Sequence, residues 1–436
     1  MDTATLNPLT EADIVGAVQA QAAESVALLK RLVAEPSLLG QETSAQVLMA
    51  GEFAALGLEV REFEIDENKL HGHPGYSPSI VSYQGRRNVV GLHRPAGPVR
   101  GRSLILNGHI DVVPVGAERL WSHPPFEPHI ERRADGDRLY GRGAADMKAG
   151  IVAYTMALRA LQRLGCEPAA PVTLQSVIEE ECTGNGALAC LLEGYTADAA
   201  VIPEPGQDVL SAQLGVMWVT LDVYGVPVHA AVAHTGIGAI EFAQHLVAEL
   251  RRLEAKWNEP ARRHSMYCGH EHPINFNLGR IEGGEWSSSV STHCRVDLRL
   301  GFYPGRTPAE VRAEVEALIR AAHAAHPQRD SVTVEVSYHG FQAEGLVVDL
   351  QQPAMLALMQ AHADITGRPC ATRASTATTD VRFFHLYGHI PCTCYGPAGE
   401  RIHGIDEWVS LPSLHEVTAV LALFIARWCG VNRRAA

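Results

Sequence analysis

The stretch Leu104-Ile105-Leu106-Asn107-Gly108-His109-Ile110-Asp111-Val112-Val113 decides how the chain is read. Three aliphatic residues followed by Gly-His-x-Asp describe a buried strand that ends at a polar site, because buried parallel strands are continuous apolar runs. In open α/β sheets, ligands lie just beyond the carboxyl ends of such strands. His109 is therefore a candidate metal ligand. Asp111, two residues on and on the same face of an extended chain, could accept the ring N–H and fix its tautomer. Taken alone, the motif leaves a plainer alternative open, a hydrogen-bonded loop histidine.

Outward from this stretch, helical and apolar segments alternate. Helical periodicity runs from Glu11 to Val33 and again from Ala45 to Leu56. Leu58–Ile65 alternates as a strand, and Asn88–Leu92 and Leu104–Leu106 read as neighbouring buried strands. Ile151–Leu164 is a helix, and Val172–Ile178 and Ala199–Ile202 are further strands. Such alternation predicts a mostly parallel sheet. From about Ser211 the order becomes strand (Val216–Tyr224), helix (Gly238–Leu253), strand (Ile274–Ile281), strand (Cys294–Leu300), helix (Pro308–Ala325), strand (Val332–Tyr338). That is the ferredoxin-like split order. A helix over Pro353–Thr366, a strand in Leu386–Tyr395 and a helix over Leu411–Cys429 complete the chain.

A chain of 436 residues is too long for one ordinary core, so at least two domains are expected. A net charge of -13 with no basic block argues against a nucleic-acid partner. No apolar run reaches the length of a membrane span. The first residues, with Asp2, Glu11 and Asp13, lack the pattern of a signal peptide. Nine scattered cysteines fit reduced thiols, and the expected location is the cytoplasm.

Carboxylates recur at the strand ends. Asp146 lies in Leu139-Tyr140-Gly141-Arg142-Gly143-Ala144-Ala145-Asp146-Met147-Lys148-Ala149-Gly150, just before a helix, where an N-terminal cap is the competing explanation. Val172–Ile178 runs into Glu179-Glu180-Glu181, whose adjacent carboxylates repel unless a cation is present. Glu204 ends the next strand, and His403 lies in the loop Arg401–Trp408. One imidazole with two or three carboxylates could hold one metal, and two imidazoles with several carboxylates suit a pair of divalent ions sharing a bridging carboxylate. Mixed nitrogen and oxygen donors favour zinc, with cobalt or manganese compatible.

The motifs "GHIDVVP", "LYGRGAADMKAG", "EEECTGNGA", "PEPG" and "HGIDEW" stand in that order between Gly108 and Trp408. In this they resemble the co-catalytic zinc aminoacylases and metallopeptidases, the family of acetylornithine deacetylase, succinyl-diaminopimelate desuccinylase and carboxypeptidase G. The resemblance implies an α/β fold: a phosphorylase/hydrolase-like, mostly parallel catalytic domain (1–213 and 340–436) with an inserted ferredoxin-like lid and dimerisation domain (214–339). It implies that Asp146 bridges two metals, with His109 and Glu204 on one and Glu181 and His403 on the other. Asp111 would orient His109. Glu180 would be the general base, taking a proton from a metal-bridging water and returning it to the departing amine. An alternative register, with Glu179 as base and Glu180 as ligand, leaves the glycine spacing one residue off.

In the lid, His229 of "VYGVPVHA" would stabilise the oxyanion, often from a partner subunit. Arg299 would bind a substrate carboxylate, a task suited to guanidinium, though a structural salt bridge explains it as well. Asn277, Ser289 and Thr379 fall where substrate contacts are expected. The implied protein is a homodimeric deacylase of N-acyl amino acids or related small N-acyl compounds. A dipeptidase or carboxypeptidase shares every one of these residues. A dinuclear phosphodiesterase would lack its arginine cluster here, and a non-catalytic relative would be expected to have lost Glu180 or a ligand.

Overall fold

The computed structural model describes residues 9–434. Thr10 caps α1 (Glu11–Ala20): its hydroxyl accepts the Asp13 N–H and the Asp13 carboxylate accepts the Thr10 N–H, a capping box. The single helix predicted to Val33 instead stops and restarts as α2 (Ala22–Val33). At the break, buried Gln21 donates its amide to the Met156 carbonyl at 2.7 Å, a tertiary bond that periodicity does not reveal.

The chain then lays down α3 (Thr43–Ala55), β1 (Glu59–Glu64), β2 (Arg87–His93), β3 (Leu104–His109), α4 (Ala149–Arg163), β4 (Val172–Val177) and β5 (Ala200–Ile202). The main sheet has the order β1-β2-β4-β3-β5, closed by the strand Cys392–Cys394. From β4 onward all neighbours are parallel, and β2 runs antiparallel to both of its neighbours. β2 and β3 are thus not adjacent, as their sequence proximity suggests. α4 carries the chain from β3 to β4, which inserts between them, parallel to β3 and antiparallel to β2. The carboxyl ends of β3, β4 and β5 consequently lie side by side.

A second sheet follows from β6 (Gly215–Tyr224), α5 (Ala239–Trp257), β7 (Phe276–Gly283), β8 (His293–Phe302), α6 (Pro308–Ala325) and β9 (Thr333–Ser337). Its order, β7-β8-β6-β9, is antiparallel throughout and is the ferredoxin-like split arrangement. β8 buries alternate residues, so Val296 and Leu298 pack inward with Val219 and Leu221 of β6, Phe242 and Leu246 of α5, and Val315 of α6. This core is separate from the one beneath the main sheet. Thr307, Pro308 and Glu310 start α6 as a capping box with proline in the first turn.

Gln342–Ala343 pairs with β6 as the chain returns. α7 (Pro353–Thr366) and α8 (Leu411–Trp428) complete the main body, and α8 packs on α4 and α7. This explains why α4 is buried on nearly every side. The strand predicted within Leu386–Tyr395 shrinks to Cys392–Cys394. Phe383–Tyr387 forms a wide helical turn, and short apolar runs do not distinguish a buried turn from a strand. Among the described residues, no helix is long and apolar enough to cross a membrane.

Candidate metal centre

His109 is the last residue of β3 and is only 1% exposed. Its Nε2 lies 3.1 Å from Asp146 Oδ1, 3.7 Å from Glu204 Oε1 and 3.9 Å from Glu180 Oε2. On the other side of Asp146, His403 Nε2 lies 3.5 Å from Asp146 Oδ2 and 3.0 Å from Glu181 Oε2. Two triads of potential ligand atoms result, His109/Asp146/Glu204 and Asp146/Glu181/His403, with Asp146 common to both. The glycine at 150 permits part of this closure: a Cβ there would collide with the Pro203 carbonyl, next to Glu204.

Asp111 acts on the site in two places. His109 Nδ1 meets the Asp111 main-chain carbonyl at 2.9 Å, which fixes the tautomer with the proton on Nδ1. The Asp111 carboxylate is 3.7 Å from that nitrogen and instead accepts the N–H groups of Glu180 (3.3 Å) and Glu181 (3.1 Å). Its backbone orients the histidine while its side chain holds the turn that carries two carboxylates.

The three consecutive glutamates diverge. Glu179, at φ 71°, turns into a buried cage: Arg86 Nη1 at 2.5 Å, the Tyr83 hydroxyl at 2.7 Å and the Thr183 hydroxyl at 2.8 Å. Arg86 is shared with buried Glu42. Glu180 faces His109, and its buried Oε1 has no hydrogen-bond partner among the described residues. Glu181 faces His403.

Burial is the largest influence on both Glu180 and Glu204 and pushes their carboxyls well above the usual range, with neighbouring carboxylates adding to it. Burial opposes charge on the imidazoles too, yet the surrounding carboxylates outweigh it. They raise His109 well above its ordinary value and His403 to about 11. Among the described residues, these histidines are the only cationic side chains within 4.0 Å of Asp146, Glu180, Glu181 and Glu204. Among the described residues no lysine or arginine lies within 4.0 Å of these carboxylates, so the donor set fits divalent cations, which compensate buried carboxylates directly.

Comparison with known proteins agrees. The family model Peptidase_M20, described as peptidase family M20/M25/M40, matches residues 105–427. The chain is an M20-family protein. N-formyl-4-amino-5-aminomethyl-2-methylpyrimidine deformylase of Bacillus subtilis is 31% identical over 369 residues, covering 80% of this chain and 84% of that protein. Succinyl-diaminopimelate desuccinylase of Paracoccus denitrificans is 26% identical over 416 residues, covering 92% and 97%. In fold, the chain is similar to the di-peptidase Dug1p of Saccharomyces cerevisiae, with a TM-score of 0.77 at 11% identity over 96% of this chain and 98% of that one. The M20 chain is thus a metal-dependent hydrolase of amide bonds.

The lid residues of this M20 protein divide into two groups. Asn277 and Arg299 are register partners on β7 and β8, and both line a cavity of about 260 Å³ with Trp218, Asp297 and His339. Burial lowers the pKa of the Arg299 guanidinium, whose hydrogen bond is a 3.4 Å contact to the Thr376 carbonyl. Ser289 does not line this cavity; it bridges to His229, which is exposed and accepts the Ala231 N–H at Nδ1. Thr379 is buried with its hydroxyl donated to Gln213 at 2.6 Å.

The motifs do not single out Arg86, Glu42, Arg142 or Glu407. All four are buried and charged, and they form the pairs Arg86–Glu42 and Arg142–Glu407. Arg142 and Glu407 do stand inside the motifs LYGRGAADMKAG and HGIDEW, whereas Arg86 and Glu42 lie outside every quoted motif.

Proposed function

We propose that this M20 protein is a deacylase that removes a small acyl group from an N-acyl amino acid or related N-acyl amine through two divalent ions, zinc in the first instance. The observation that carries the proposal is Asp146 lying between His109 and His403, with a Glu180 oxygen beside it that has no hydrogen-bond partner among the described residues. The named activities of the Bacillus and Paracoccus relatives, removal of formyl and succinyl groups, support the substrate class. His109 and Glu204 would hold one ion, Glu181 and His403 the other, and Asp146 both.

When bound, the ions would supply Lewis acidity toward the scissile carbonyl and make water a stronger nucleophile at neutral pH. Glu180 takes one proton from the attacking water as its oxygen joins the acyl carbon. It then gives that proton to the amine nitrogen as the C–N bond breaks. Asp111 keeps Glu180 in reach by holding its main-chain N–H. Arg299 and Asn277 receive the polar end of the substrate, a role that the shared cavity supports.

Residues 214–339 are proposed to act as a lid and as the contact between two copies of the chain in a homodimer. Their separate core supports this, as do the exposed Val232, Ile281 and Trp286 in the same region as His229. His229 would then stabilise the oxyanion in the partner's site. Nine free thiols support a reducing compartment, the cytoplasm.

The test is amine release from N-formyl, N-acetyl, N-succinyl and N-aroyl amino acids, dipeptides and anilides, with and without chelation. Chelator-sensitive release from one acyl class supports the proposal; release from dipeptides alone would replace it with a peptidase. Mixing inactive His229→Ala with inactive Glu180→Gln chains tests the dimer. Recovery toward one quarter of wild-type activity is expected if His229 acts across the interface, and no recovery would contradict it.

A further inference from the structure

The segments on either side of Asp146 and His403 meet at one buried carboxylate outside both triads. The short strands Arg138–Tyr140 and Trp408–Ser410 pair antiparallel, with Trp408 opposite Tyr140. This register sets the loop after Tyr140, which carries Asp146, against the loop before Trp408, which carries His403. Between them sits Glu407, 1% exposed. Its carboxylate accepts the N–H groups of Gly143 (3.0 Å), Ala145 (2.9 Å) and Asp146 (3.1 Å), and its carbonyl accepts that of Gly141 (3.0 Å). Arg142 pairs with the same carboxylate at 2.6 Å and reaches the carbonyls of Gly404 (3.1 Å) and Pro114 (3.3 Å). The clamp therefore ties together the stretch after His109, the Asp146 loop and the His403 loop.

The two half-sites depend on it unequally. His109 ends β3, Glu204 follows β5, and both are buried. The His403 side chain is 53% exposed, in a loop where Arg401, His403 and Asp406 all have φ near 60°. Such left-handed non-glycine residues persist only where surrounding contacts enforce them. The enforcing contacts are Arg142 on the Gly404 carbonyl and Ser122, whose N–H and hydroxyl each meet the Asp406 carboxylate at 2.8 Å.

We infer that Glu407, through the backbone N–H groups that donate to it and through Arg142, is the positioning residue that fixes the His403 loop against Asp146 and so determines whether the Glu181/His403 half-site holds its ion. The inference rests on the dinuclear proposal above. Groups that orient ligands from behind typically change metal affinity 10- to 100-fold when replaced. A glutamine at 407 keeps the shape but places an N–H₂ where backbone N–H donors require acceptors.

The test is zinc titration of chelated chains, wild type and Glu407→Gln, by calorimetry with bound zinc counted, and circular dichroism to verify folding. Glu407→Asp, which keeps the charge but shortens the reach, serves if the glutamine variant does not fold. The expected result is two ions in the wild type. In the variant, affinity for one falls about 10- to 100-fold while the other shifts less than threefold. A folded variant with both affinities unchanged, or both weakened equally, overturns the inference while leaving the dinuclear proposal intact. A wild-type chain that binds one ion overturns both.

Discussion

The two halves of the candidate metal centre share Asp146 but are built differently. The His109/Glu204 half stands at the ends of adjacent parallel strands, with His109 1% exposed and its tautomer fixed by a main-chain carbonyl. The Glu181/His403 half pairs a residue of a held turn with a half-exposed imidazole on a strained loop. The sheet positions the first half, so its geometry exists before any ion arrives. The second half is assembled from segments more than two hundred residues apart and is only as rigid as the buried clamp behind it. In the proposed dinuclear centre, one ion would sit in a rigid socket and the other in a socket that the protein's own packing adjusts.

The shared ligand is where the largest effect is expected. Asp146→Ala is expected to lose both ions and bring amine release below detection, measured as bound zinc and initial rate on one sample. If one ion remains at wild-type affinity, the halves do not share Asp146. Next is the base. Glu180→Gln should lower kcat about 10²- to 10⁴-fold with both ions retained, and near-normal turnover would remove Glu180 from that role.

The contrast between the halves is sharpened by matching alanines. His403→Ala is expected to lose one ion and little stability, because its side chain is half exposed. His109→Ala leaves Asp146 and Glu204 facing each other without their shared imidazole. Breaking a buried ionic group in this way costs about 3–5 kcal/mol, visible as a lower melting temperature of the metal-free chain. Equal effects of the two alanines on stability and stoichiometry would erase the asymmetry. The smallest change is expected in the lid: Arg299→Lys should raise KM about tenfold with little change in kcat if the guanidinium only binds the substrate's polar end.

What the residues reveal on their own follows the same division. β3 through His109, and the carboxylates after β4 and β5, are legible because an apolar run that stops at a polar residue marks a strand end in any α/β sheet. The split β-α-β-β-α-β order of the second sheet is legible from alternation and helix starts such as Thr307-Pro308. Other features are not. The separation of β2 from β3 depends on which neighbour α4 returns to, and the break at Gln21 depends on a carbonyl 135 residues away. The different fates of Glu179 and Glu180 depend on Arg86, 93 residues upstream in a stretch with no motif. Glu407 stands in the motif HGIDEW, but its role is hidden for a related reason: besides Arg142, its partners are backbone N–H groups, which leave no side-chain pattern to recognise. Asp111 shows a subtler limit, since the motif identifies the residue but not that its carbonyl serves His109 while its carboxylate serves Glu180 and Glu181.

The most direct single measurement is a stepwise zinc titration of the fully chelated enzyme, with bound zinc and amine release from a cleavable N-acyl substrate read in the same samples. No release from the metal-free chain, followed by uptake of a tight first ion and a weaker second and return of amine release, is the predicted result. Amine release that persists without metal, or full activity with no ion bound at the His109 half, would contradict metal-dependent amide hydrolysis at this centre.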